Sequence, residues 1–477
     1  MMSQSQNSPR RVAVIGGGIT GLAAAYRLRE LDPQAEVTLF EAAERVGGVL
    51  LTEREPHYLL EHSADNFITN LPWGLELCRR SGFEPELIGT RPVVRRALVL
   101  WHGQTVPVPE AFVLLQPKKI WPVVTTPLLS WRGKLRMLWE WFVPARRDGR
   151  DESLASFVTR RLGREAFDRL VQPLVGGIYT ADATKLSLAA TMPQFLEMER
   201  KHGGLLRAAW AERRQTTTAE QESHGARYSL FMAPRQGMSS LIEHLAAQLP
   251  AGSVRLNTPV QRLRRASSGT WHVTTGDNQE VEFSDVIVAL PAPAAARLLD
   301  EVDTTLAGQL KQIPYAGAVV ALVGVRRSQL THPLDGFGFV VPDIEQRKII
   351  SVSFSSQKYD GRASDDRVLL RVFMGGATRP EVLQWPDDEV RSVVTRELTE
   401  LLGLSGEFEV FKIRRWDGVM PQYHLGHLEL VAQIEDRVKA IPGLALAGNA
   451  YRGVGIPQCV RSAEQAAARI VGTNVAK

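Results

Sequence analysis

Gly16-Gly17-Gly18-Ile19-Thr20-Gly21 satisfies the spacing G-x-G-x-x-G. That spacing suits a dinucleotide. The first glycine permits a tight turn, the second lets the backbone approach a pyrophosphate, and the third lets a helix lie close against a strand. The phosphates then sit at a helix N-terminus, where unpaired N–H groups and the dipole favour negative charge. Glu41 stands where an acidic side chain accepts hydrogen bonds from ribose hydroxyls, about 20 residues beyond the last glycine. A second glycine pair, Gly47-Gly48, follows closely, with Arg45 ahead of it. As a surface turn it would carry no chemistry, but flavoproteins that bury a whole FAD use such a turn to thread the cofactor's second half along the same domain. A third glycine group, Gly448, Gly453 and Gly455, follows the apolar run Leu444–Ala447. It suits the ribityl and ring contacts of a flavin, or a structural turn.

These residues need particular elements to position them. Val12–Ile15 reads as a strand, Leu22–Leu31 as a helix and Val37–Phe40 as a second strand, which makes a βαβ unit. Residues 76–210 read as mostly helical but broken by prolines, an inserted domain. Residues 211–227 are polar and without period, and read as an exposed loop. The pattern then predicts a helix over Gly237–Leu249 and strands at Val254–Val260, Thr270–Thr275 and Asp285–Leu290. Strand-like runs from Ala316 to Phe373 alternate with turns, as in an antiparallel sheet. Leu444–Ala447 reads as a strand and Ala463–Val471 as a helix. The fold class expected is therefore mixed α/β, α+β: a Rossmann-type domain built from separated segments, an antiparallel-sheet substrate domain and a helical insertion. The expected divisions are 1–75, 211–300 and 416–477 for the cofactor domain with its loop, 76–210 for the insertion and 301–415 for the sheet domain.

Composition narrows the class. With 477 residues the chain has length for roughly three domains. Apolar residues at 44% and charged residues at 23% match an ordinary globular protein and argue against wholesale disorder or a polytopic membrane protein. No stretch of about 20 residues is apolar throughout, so a spanning helix is not expected. The formal charge of +5 favours anionic ligands or an anionic surface over nucleic acid. Cys78 and Cys459 are the two cysteines. They provide no disulfide framework and, without nearby Cys or His partners, no zinc site, so a reducing compartment, the cytoplasm, is expected and a metal is not.

The segments VAVIGGGITGLAAAYRL, FEAAERVGG, MPQYHLGH and LALAGNAYRGVGIPQCVRSAEQAA together resemble the flavin-dependent protoporphyrinogen oxidases, including their bacterial relatives that act on coproporphyrinogen III. QPLVGGIY and Val254-Arg255-Leu256-Asn257-Thr258 carry a thinner likeness through the middle. The resemblance implies a non-covalent FAD and a six-electron oxidation of a porphyrinogen, with molecular oxygen as acceptor and hydrogen peroxide released, in haem synthesis. Carried over, its FAD contacts fall at Gly16, Gly17, Gly18, Ile19, Thr20, Gly21, Glu41, Ala42, Arg45, Gly48, Val49, Val260, Trp416, Gly448, Val454, Gly455 and Ile456. They also fall at Ser63, Ala64, Asp65 and Asn66, where the family often has a Gly-Pro-type turn instead. It implies no universal catalytic base, and none is assigned.

The same scaffold extends to amine oxidases. These resemble Ile313-Pro314-Tyr315-Ala316-Gly317 but place a lysine a few residues later, where this chain has Ala318, Val319, Val320, Ala321 and Leu322. An apolar run suits a greasy macrocycle better than amine chemistry. An amine or polyamine oxidase, and a flavin-binding protein without turnover, remain the alternatives. In the resemblance Arg96, rather than Arg95, falls where a substrate propionate is held, a task suited to the guanidinium fork. Trp121, Trp131, Trp139 and Trp141 are interleaved with Lys118, Lys119, Arg132, Lys134 and Arg136. Such a mixture serves a membrane interface or the core of a helical domain equally, and an interfacial role would place the protein at the inner face of the membrane. The oligomeric state is not legible.

Overall fold

The computed structural model describes residues 9–92, 96–109, 125–215 and 230–473. Its first layer is a parallel sheet in the order Val254–Arg255, Glu36–Phe40, Arg11–Ile15, Asp285–Val288, Leu444–Leu446. Strands buried on both faces read as continuous apolar runs, and these do. Val12, Val14, Leu39 and Ile287 face one core with helices Ile19–Leu31, Met238–Ala247 and Ile456–Val471. Ala13, Ile15, Phe40 and Val286 face another, under helices Ala292–Leu299, Thr304–Lys311 and His427–Lys439. The helices expected at Leu22 and Ala463 begin earlier, at Ile19 and Ile456, because glycines 18 and 455 stand as their caps.

The second layer is a seven-stranded sheet in the order Val410–Pro421, Tyr315–Arg326, Arg367–Gly375, Ser351–Phe354, Gly338–Val340, Leu98–Trp101, Gln104–Pro107. Its pairings are antiparallel except where Gly338–Val340 meets Leu98–Trp101. Alternation sorts its faces. Val319, Ala321, Val323, Leu370 and Val372 pack beneath helix Asp387–Leu402. Their neighbours Ala318, Val320, Arg371 and Phe373 turn to the opposite side, toward the cofactor domain and the helical body.

Elements of the structure cross two of the expected divisions, and one expected strand is split. The stretch 76–210 is not helical throughout. Leu98–Trp101 and Gln104–Pro107 leave it to complete the large sheet, and helix Pro72–Arg80 packs Leu77 and Cys78 into the dinucleotide core. The division at 415/416 falls inside the 12-residue strand Val410–Pro421. The strand expected over Val254–Val260 is two strands in different sheets, parted by Asn257 with φ of 51°. Helix Leu205–Gln215 takes the start of the expected polar loop, and the rest of that loop, with Trp121, Lys118, Lys119 and Arg95, lies outside the described residues.

The helical body is bound internally by charge. Arg161 and Glu140, both with no side-chain exposure, pair at 3.2 Å. Glu140 also accepts from the N–H groups of Leu205 and Leu206. Arg161 donates to the carbonyls of Val143 and Gly203, while Arg160 bridges Glu152 and Glu199. Buried charges persist only when paired and hydrogen-bonded in this way.

Candidate cofactor groove and substrate cleft

The three glycines of the first turn are required for different reasons. Gly16 has φ of +108°, and a Cβ there would meet the Ala289 carbonyl at 2.6 Å. A Cβ on Gly21 would overlap the Gly16 carbonyl. Gly18 has an ordinary φ of −69°, and a Cβ on it would meet nothing within 4 Å. Nothing in the protein demands glycine at 18, so the demand comes from what lies in the groove. Gly18 caps helix Ile19–Leu31 without a side-chain acceptor, leaving the first N–H groups for an anion. Ile19 and Thr20 are buried in the first turn.

Glu41 accepts from the N–H of Gly17 at 2.7 Å and of Ala43 at 2.8 Å, which fixes the carboxylate at the strand end. A carboxylate has about four acceptor positions, so lone pairs remain for ribose hydroxyls. The strand-ending segment around Asn257 and Thr258 brackets it, through bonds to the Ala43 and Glu41 carbonyls. Ala42 and Val49 are exposed on the rim, and Val260 is half-buried at the start of the neighbouring strand. The second glycine turn closes on the first: Gly47 donates to the Gly17 carbonyl, and Gly48 approaches Gly18. Arg45 holds that turn by donating to the carbonyls of Val46, Gly48 and Leu50. Burial and the nearby Arg414 lower its pKa, so two cations share one wall of the groove.

At the far end the glycine loop 448–455 is held by residues of the segment MPQYHLGH. The Tyr423 hydroxyl donates to the Asn449 carbonyl at 2.5 Å and accepts from the Gly453 N–H at 2.8 Å. His427 stacks on the Tyr423 ring with centroids 3.9 Å apart and bonds the Tyr451 carbonyl. Gly448 donates to Ser462, Val454 packs toward the helical body and Ile456 toward the dinucleotide core. Gly455 caps helix Ile456–Val471, again with no side-chain acceptor.

Between these ends runs Ser63-Ala64-Asp65-Asn66. The Trp416 indole donates to the His62 carbonyl at 2.7 Å, with Arg414 over its ring. Asp65 is paired with Lys358 at 3.0 Å and Arg371 at 3.1 Å, and accepts from Asn66. Burial alone would raise its carboxyl, but Lys358 and Arg371 reverse this and hold it well below the usual carboxylate range. Arg371 also donates to the Ser63 carbonyl. The Ser63 hydroxyl and the Nε atoms of Arg371 and Arg414 are buried with no partner. An unsatisfied buried donor costs about 1–3 kcal/mol, so these atoms point to a missing polar ligand.

By strand alternation Ala318, Val320, Phe373, Ser351 and Val340 share the face of the large sheet turned toward this segment, and Gly177 of helix Gln172–Tyr179 packs closely against Val340; we take this face as the floor of the substrate cleft. Sequence reasoning missed Arg371, Phe373, Lys358 and Tyr423. A signal was present for Arg371: a charge inside the apolar run VLLRVFM requires a buried partner or a ligand. Arg96, by contrast, is not brought to the cleft. Its side chain is 53% exposed and 3.5 Å from Asp335.

A split parallel dinucleotide domain joined to an antiparallel sheet across a common groove defines a two-lobed flavin-type oxidoreductase. The comparisons agree. Residues 19–471 match the family of flavin containing amine oxidoreductases, and the chain belongs to it. It is similar to the coproporphyrinogen III oxidases of Propionibacterium freudenreichii subsp. freudenreichii, 33% identical over 98% of this chain and 91% of that one, and of Bacillus subtilis (strain 168), 30% identical over 94% and 96%. A solved structure from Exiguobacterium sp. 255-15 superposes with a TM-score of 0.85 at 28% identity, over 99% of each chain. The chain is thus an FAD-dependent oxidoreductase. The open cradle at Gly18, the two uncapped helix N-termini and the orphaned Ser63 hydroxyl and Arg414 Nε fit FAD, which supplies the two-electron acceptor chemistry when bound.

Proposed function

We propose that this enzyme oxidises a porphyrinogen to the porphyrin in haem biosynthesis, that coproporphyrinogen III is the preferred substrate, and that molecular oxygen receives the electrons as hydrogen peroxide. The near-full-length likeness to two coproporphyrinogen III oxidases carries this reading. The cleft supports it chemically. Where the amine oxidases resembled by Tyr315-Ala316-Gly317 place a lysine, this chain turns Ala318 and Val320 toward the cofactor side. An apolar floor excludes water from a macrocycle and lacks the lysine that the amine oxidases place at that position. The protein's part is to bind, orient and desolvate; no general base is assigned.

FAD is held without a covalent bond by the residues named from the sequence, Gly16 to Gly21, Glu41, Ala42, Arg45, Gly48, Val49, Ser63 to Asn66, Val260, Trp416, Gly448 and Val454 to Ile456. Arg96 reads as a rim contact for a substrate carboxylate, free to exchange its exposed partner Asp335. Purified enzyme should release peroxide with coproporphyrinogen III, more slowly with protoporphyrinogen IX and not with amines. Turnover of an amine without a porphyrinogen would replace this reading with the amine-oxidase one.

The helical body meets an anionic membrane surface. Trp131, Leu135, Trp139 and Phe142 are 73%, 65%, 61% and 66% exposed, while Glu140 between them points inward. Lys134 lies over Trp131 and Arg207 over Trp141, the pairing of indole and cation suited to headgroup depth. No helix among the described residues is long and apolar enough to cross a membrane, so the contact is peripheral. Co-sedimentation with anionic liposomes, reduced by salt, is expected; none at low salt would remove the proposal.

A further inference from the structure

We propose that Arg371 and Ser353 form a buried seat for one carboxylate of the substrate, a specificity contact additional to any at the rim. The inference rests on the porphyrinogen reading, since that substrate carries carboxylate side chains on an apolar ring. Four observations support it. Ser353 and Arg371 are direct register partners on adjacent strands, so their side chains stand side by side on one face. That face is the cofactor side, because Val352, Leu370 and Val372 between them point into the outer core. The Arg371 Nε and the Ser353 hydroxyl are both buried with no hydrogen-bond partner, and the Arg371 side chain is only 3% exposed.

The third observation is charge. Asp65 faces both Lys358 and Arg371, two cations for one carboxylate, and the fully buried Arg362 stands near Asp65 and Arg371, with its guanidinium on the carbonyls of Pro234 and Arg235. Glu61 faces Arg362, but burial raises its pKa to about 7, so it offsets that charge only in part at neutral pH. The pocket therefore lacks an anion. The fourth is orientation. Asp65 and the Ser63 carbonyl each take one N–H of the two Nη groups, and the guanidinium lies 5.0 Å over the Phe373 ring, which leaves the buried Nε as its one nitrogen with no partner. A carboxylate would take that N–H and the Ser353 O–H together, with the ring it belongs to against Phe373 and Val340.

The test uses the holoenzyme and its Arg371→Gln and Ser353→Ala variants. Binding of coproporphyrin III and of its tetramethyl ester is measured by fluorescence quenching, together with steady-state kinetics on coproporphyrinogen III. Arg371→Gln should weaken the free-acid porphyrin by about 10- to 150-fold, the range for a charged hydrogen bond, and leave the ester unchanged. The loss should fall in KM more than in kcat. Ser353→Ala leaves every Asp65 ion pair intact and should shift acid binding in the same direction by roughly 3- to 10-fold, which keeps the test decisive if Arg371→Gln fails to fold. Equal losses for acid and ester, or a displaced flavin with unchanged porphyrin affinity, would overturn the seat; the second result would make the cofactor the acceptor. A wild-type enzyme that turns over no porphyrinogen fails at the functional reading itself.

Discussion

The cofactor groove and the substrate cleft are neighbours built on opposite principles. The groove is made of backbone: glycine turns at 16–21, 47–48 and 448–455, two helix N-termini, and side chains such as Glu41, Arg45 and Tyr423 that bond to main-chain groups. The cleft is made of side chains on one face of a sheet, and its polar members, Arg371, Lys358 and Asp65, come together from positions far apart in the chain. A backbone site is written in local spacing and tolerates little change of conformation. A side-chain site depends on register and pairing, and its charges are held by one another.

The largest effect should come from filling the groove. Gly18→Val puts its side chain into open space, so the protein should fold, yet purify colourless because the diphosphate position is taken. Gly21→Ala should instead destabilise the fold, since its Cβ meets the Gly16 carbonyl. Circular dichroism and flavin absorbance separate the two. A yellow, fully loaded Gly18→Val protein would break the claim that the groove's glycine is required by its ligand.

Removing a charge from the side-chain-built part should cost stability rather than cofactor. Glu140→Leu takes away one of the two carboxylates paired with buried Arg161, leaving only Glu199, and leaves the Leu205 and Leu206 N–H groups unmet. Breaking a buried pair in this way costs about 3–5 kcal/mol. The thermal midpoint of the helical body should fall while flavin stays bound at lower temperature. Tyr423→Phe should do the reverse. It deletes two hydrogen bonds to the loop 448–455 but keeps the stacked ring on His427, so FAD affinity should drop by about 2 kcal/mol, roughly 30-fold, with little change in melting. Equilibrium dialysis of flavin against the wild type checks it.

This contrast also explains what was legible. Gly16, Gly18, Gly21 and Glu41 could be read because their function needs a spacing of a few residues and one βαβ unit. The glycine loop 448–455 was legible for the same reason, although the tyrosine that clamps it was not. Arg371 was missed because its partners, Asp65 and Ser353, are defined only once the large sheet has its register. Arg96 was taken from likeness, and in the structure its exposed side chain faces Asp335. Within the expected insertion, residues 98–107 have no local signal that they complete a sheet whose other strands begin at Tyr315.

A pH-dependent effect, spread over several pH units, sits where groove and sheet lobes are tied together. Glu61, 2% exposed, accepts from the N–H of Met238 at the start of helix Met238–Ala247 and from the Thr52 hydroxyl. Burial raises its pKa to about 7, although the Met238 N–H and Arg362 pull it down. A carboxyl whose folded pKa lies above its unfolded value of 4.5 binds its proton more tightly in the native state. Its contribution is therefore fully present below pH about 4.5 and is lost as pH rises through about 7. Within that window Glu61 should make stability fall by no more than about 1.4 kcal/mol per pH unit, the limit for one proton. Glu61→Gln cannot titrate, so melting curves taken between pH 5 and pH 8 should show the wild type losing ground relative to the variant as pH rises. Other groups contribute equally to both proteins, and only the difference between the two curves reports on Glu61. A difference that stays flat across the window, or grows in the opposite direction, would mean that Arg362 and the helix N-terminus hold Glu61 ionised, and that the junction is sealed by charge, as the cleft is, rather than by a neutral hydrogen bond.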